Sequence, residues 1–98
     1  MNVITHISDI TTQDIAEYLR VDATAETNTL TNLLTVSKAY VEKYTGKTIA
    51  QLNDCSDVVI AILILCGDMY DNRAMYVDES NVNKVVWSIL DLHSVNLL

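Results

Sequence analysis

The run Tyr40-Val41-Glu42-Lys43-Tyr44-Thr45-Gly46-Lys47-Thr48 ends in the Gly-Lys-Thr that closes a phosphate-binding P-loop. That chemistry needs G-x-x-x-x-G-K-[ST] between a strand and a helix, because a glycine-relaxed backbone must turn its N–H groups inward around the phosphates. Five positions before Gly46 stands Val41, and a β-branched residue cannot take the first glycine's place without a steric penalty. Residues 38–44 also read as the last turns of a helix. The tripeptide therefore reads as a helix stop, with Gly46 left-handed just past the final turn and Lys47 among the cations near the negative end of the helix dipole.

Other chemistry finds little footing in the spacing. Cys55 and Cys66 are eleven apart with no C-x-x-C, and His6 and His93 each stand alone, so no metal-ligand pattern emerges. Cys66, among apolar neighbours, reads as packing. No general base accompanies a nucleophile. The chain is read as a non-enzyme with no catalytic, cofactor-binding or metal-ligating residues and no cofactor.

Ninety-eight residues, half of them apolar, predict a single domain over 1–98 with its own core. Nothing at the start reads as a signal peptide, and the longest apolar run, Val58 to Cys66, has nine residues where a membrane span needs about twenty. A reducing cytoplasmic setting without a membrane partner is the expectation. The net charge is −7, distributed as −3 over residues 1–25, +1 over 26–50, −5 over 51–80 and zero over 81–98. Only Lys38, Lys43 and Lys47 gather, short of the basic stripe that a duplex-gripping module uses to neutralise phosphates.

Periodicity predicts an all-α bundle of about four helices. Thr11-Thr12-Gln13-Asp14 offers a capping hydroxyl and an acid in the first turn, with Ile15, Tyr18 and Leu19 behind it, for a helix over about 12–20. Leu30, Leu34, Ser37, Val41 and Tyr44, widened by Leu33 and Tyr40, predict a core-facing helix over about 26–45. Lys47 to Asn53 shows no helical stripe. Residues 57–73 predict a central helix, apolar nearly all round at its start, with Ser56 as cap and Asp57 in the first turn; such a helix must be covered by its own domain or by a neighbouring subunit. Val82, Val85, Val86, Ile89 and Leu90 predict a last helix over about 82–92, followed by an apolar tail.

Three blocks in this order, Thr12 to Asp22 (TQDIAEYLRVD), Ala39 to Lys47 (AYVEKYTGK) and Val59 to Arg73 (VIAILILCGDMYDNR), resemble the head–tail connector (adaptor) proteins of tailed bacteriophages and prophages, also described as DNA-packaging or head-completion proteins. The family shows an "EYLRID" helix, a "YVExYTGR" helix end and an "AILLLxxxxYENR" helix at these intervals. The resemblance covers roughly residues 10–75. Two departures stand out: the family's proline and basic residue after an apolar pair are missing from Ile89-Leu90-Asp91-Leu92-His93, and its arginine after the glycine is Lys47, which keeps the cation but loses the bidentate fork.

The resemblance implies a non-catalytic virion protein. Its subunits would form a ring, dodecameric in the virion, beneath the portal protein; the ring would extend the DNA channel and receive a stopper or tail completion protein. DNA would pass without specific binding, which an acidic lumen favours. Assembly would start in the host cytoplasm. By the same resemblance the C-terminal segment Leu92, His93, Ser94, Val95, Asn96, Leu97 and Leu98 would dock on the portal.

Tyr70, Asn72 and Arg73, where the third helix leaves its apolar zone, serve either a subunit contact or local capping and ion pairing with Asp68 or Asp71. Trp87, off the apolar face of the last helix, is the strongest single interface candidate. His93 reads as a pH-sensitive contact or as a solvated tail residue. The alternative reading is a small acidic helical DNA-binding or regulatory protein of phage origin, which lacks a recognition helix with exposed Arg, Asn or Gln.

Overall fold

A short capped helix opens the fold. Thr11 precedes α1 (Thr12–Leu19), and its hydroxyl accepts from the Asp14 amide at 3.2 Å while the Asp14 carboxylate accepts from the Thr11 amide at 2.9 Å. This reciprocal box satisfies two amides that the first turn leaves without helical partners. α1 buries Ile15 and Ala16 and stops at Arg20, which is left-handed at φ 60°, ψ 46°. A Cβ-bearing residue there costs about 1–2 kcal/mol relative to a right-handed conformation. The following turn is held by Asp22, whose Oδ1 accepts from the amides of Thr24 and Ala25.

The structure, a computed structural model, describes residues 3–71 and 84–94. α2 (Thr27–Thr45) buries Leu30, Leu33, Ser37, Val41 and Thr45, with Leu34, Tyr40 and Tyr44 half-buried beside them, so its inward face follows the predicted stripe. Its solvent side carries Thr27, Thr31 and Thr35, whose hydroxyls donate to the carbonyls four residues earlier. After Gly46 and Lys47 comes a helical turn that the apolar spacing does not predict, α3 (Ile49–Leu52), which buries Leu52. A 3-10 turn at Ile7–Asp9 docks before α4, with the Ile7 amide donating to the Asn53 carbonyl at 3.0 Å and the Ser8 amide to Asn53 Oδ1 at 2.8 Å.

α4 (Ser56–Asp71) is the central element, packed by α2, α5 (Lys84–His93), α1 and the 3-10 turn. It begins one residue earlier than predicted, so Ser56 is already helical, and Asp57 lies in the first turn. Seven of its residues are buried: Val58, Val59, Ala61, Ile62, Leu63, Leu65 and Cys66. Burying such a side chain contributes about 1.5–3 kcal/mol for the branched aliphatics. Glu26 opposite Tyr70 and Ser37 opposite Cys66 set α2 antiparallel to α4. The last turns of α2 and α5 meet the first turn of α4 at one end of the bundle, through Tyr44 with Asp91 and Asp57 with His93. All elements are helical among the described residues, and the buried side chains form one cluster.

Candidate functional site

At Gly-Lys-Thr the backbone amides already have partners. Gly46 is left-handed at φ 73°, ψ 12°, and its N–H donates to the Glu42 carbonyl at 2.9 Å. The Lys47 amide donates to Thr45 Oγ1 at 3.2 Å, the Thr48 amide to Gln51 Oε1 at 2.8 Å and the Ile49 amide to Glu42 Oε2 at 2.9 Å. A P-loop would turn these N–H groups onto phosphate. Here they close α2 and open α3, with a carboxylate occupying the place an anion would need. Thr48 is the N-cap of α3, its hydroxyl accepting from the Gln51 amide at 3.2 Å.

The sequence-derived interface residues separate. Tyr70 is half-buried and its hydroxyl donates to Glu26 Oε1 at 3.2 Å, an intramolecular tie between α2 and α4. Asn72 and Arg73 lie outside the described residues. Trp87 is 36% exposed, on the outer part of α5. It stands four residues before Asp91, which accepts the Tyr44 hydroxyl at 2.6 Å, so Trp87 occupies the flank of α5 nearest the end of α2. Tyr44 in turn stacks on Tyr40, with ring centroids 6.0 Å apart.

The tail begins later than the predicted Leu92, because Leu92 and His93 are the last residues of α5 and Ser94 follows the helix. Leu92 is 79% exposed. His93 is half-buried, its Nε2 at 2.8 Å and 3.0 Å from the two carboxylate oxygens of Asp57, so it belongs to the bundle rather than to a solvated tail. Val95, Asn96, Leu97 and Leu98 lie outside the described residues.

Among the described residues, two helix faces carry exposed apolar side chains. On α4, Ser56, Ile60, Ile64, Gly67 and Asp71 recur at four, four, three and four, and all are exposed or half-buried, with Ile60 at 53%. The helix is therefore not enclosed on every side. α1 closes over part of this strip, since a Cβ at Gly67 would meet the side chains of Tyr18 and Leu19 at 3.4 and 3.5 Å. On α5, Val86 and Leu90 face the core, whereas Val85 and Leu92, seven apart and hence on one side, face solvent. Such a surface can do one thing chemically: lose water against another apolar surface.

Deeper in, Ser37 Oγ and Cys66 Sγ are 3.3 Å apart in the core. Burial pushes the Cys66 thiol up from its ordinary pKa, and the Ser37 hydrogen bond offsets part of that. Burial, with the Asp71 charge adding to it, also raises the Asp68 carboxyl. Among the described residues the fold brings together Cys55, Asp57 and His93 where the start of α4 meets the end of α5, a group that linear spacing does not signal. No described helix is long and apolar enough to cross a membrane. Compared with protein-family models, curated proteins and solved structures, the chain matches none.

Proposed function

We propose that this chain is a structural subunit of a tailed-phage head–tail connector, a ring beneath the portal that extends the DNA channel and receives a stopper or tail completion protein. The observation that carries the reading is the apolar surface that α5 leaves exposed on both flanks of its buried Val86 and Leu90, with Val85 and Leu92 on one flank and Trp87 on the other, towards the end of α2. A ring subunit buries such a surface against its neighbour or the portal, and interface cores favour tryptophan and aliphatic anchors. The three connector-like blocks supply the second support. They map onto α1 with its left-handed Arg20, the Gly46 end of α2, and α4.

A net charge of −7 suits a channel wall that DNA slides past, since phosphates find few counter-charges on it. A ring whose lumen is lined by cations would contradict that part of the reading. The virion site is the head–tail interface, and the subunit waits in the host cytoplasm during assembly. Catalysis has no place in this role.

Trp87 is the one tryptophan and reports on the flank of α5 that faces the end of α2. Mixing the chain with the portal protein of the same virus should shift its emission to the blue as the indole leaves water. Emission that stays at the free-chain wavelength with portal in excess would count against the use of α5.

A further inference from the structure

We infer that Cys55, Asp57 and His93 form a site for a thiophilic divalent transition metal of the Zn2+ class. Cys55 immediately precedes α4, Asp57 sits in its first turn, and His93 ends α5. One ligand atom from each residue lies within 4.8 Å of the other two, and all three residues are half-buried. Around tetrahedral zinc, bond lengths near 2.0–2.3 Å place ligand atoms roughly 3.3–3.7 Å apart. The His93 Nε2 to Asp57 Oδ2 distance of 2.8 Å is slightly shorter than that. Seating the ion parts this pair by about half an ångström and draws the thiol in by no more than about 1.5 Å, within the reach of side-chain rotation.

The backbone that carries the ligands is already fixed. The Cys55 amide donates to the Leu52 carbonyl at 2.9 Å, and the Cys55 carbonyl accepts from Val58 at 3.0 Å. The Val58 amide is also 3.0 Å from Asp57 Oδ1, which orients the carboxylate as outer-shell donors do in metal sites. The donor set selects the ion: thiolate and imidazole suit zinc, whereas magnesium and calcium take oxygen ligands. Three protein ligands leave the fourth position to water, and binding releases the thiol proton. A seated ion ties the start of α4 to the end of α5 and stabilises the fold in proportion to its occupancy. This inference stands independently of the connector reading.

Co2+ titration of the full reduced chain tests it. The expected result is a thiolate-to-cobalt charge-transfer band saturating at one ion per chain and bleached by Zn2+. The band should persist in Cys66→Ser and vanish in Cys55→Ser. His93→Gln should weaken binding about tenfold or more, with far-UV circular dichroism verifying that each variant stays helical. No thiolate band from the wild-type chain, a band that survives Cys55→Ser, or unchanged affinity in His93→Gln would overturn it.

Discussion

α4 and α5 are both rich in aliphatic residues, but α4 lies under four neighbouring elements and α5 under two, so their side chains meet different fates. In α4 the periodic signal is blurred because seven residues go inward on several sides, leaving Ile60 and Ile64 on a narrow outer strip. In α5 the inward pair Val86 and Leu90 is sharply separated from Val85 and Leu92. The same residue types thus serve cohesion within the chain in one helix and lie partly at the surface in the other. Which role applies depends on what surrounds the helix, not on its own hydropathy.

Substitutions can separate the two roles. The largest effect belongs to α4: Ile62→Ala empties a fully buried site and should lower the unfolding free energy by about 2–5 kcal/mol in urea titration. That is a large share of the roughly 5–15 kcal/mol that holds a domain of this size together. Next comes the helix stop, where Gly46→Ala places a Cβ at φ 73° and should cost about 1 kcal/mol, read from the same titration.

Cys66 gives a smaller, pH-dependent effect. Its pKa is raised in the fold, so the unfolded chain loses the thiol proton first, and stability is unaffected below the unfolded thiol's pKa of about 8.5. Stability should fall as pH rises through and above that value. Cys66→Ser keeps a hydroxyl for Ser37 and should flatten the decline between urea midpoints taken at neutral and alkaline pH. The smallest effect on stability belongs to the outer side of α5, where Val85→Ser with Leu92→Ser should change the unfolding free energy by less than about 0.5 kcal/mol per site. On the connector reading the same pair should also abolish binding to the portal.

Much of this architecture is legible locally. The Thr11 box, the stripe of α2 and the Gly46 stop are short-range patterns, and each helix boundary they set agrees with the structure to within one residue where described. α3 escapes because four residues cannot display a stripe; its signal is the pair Thr48 and Gln51, a capping box at the right spacing. Arg20 takes a left-handed turn where no glycine announces it. The position of Trp87 off the apolar face is readable from spacing, whereas the bond of Tyr70 to Glu26 joins residues 44 apart and is set by tertiary packing alone. Cys55, Asp57 and His93 share that difficulty, since His93 on α5 is 36 positions from Asp57.

Native mass measurement of the chain, alone and mixed with the portal protein that the connector reading pairs it with, tests the central claim most directly. The connector account predicts a portal-bound ring for the wild type and free monomer for the Val85→Ser, Leu92→Ser variant. A wild-type chain that remains strictly monomeric in the presence of portal would contradict it.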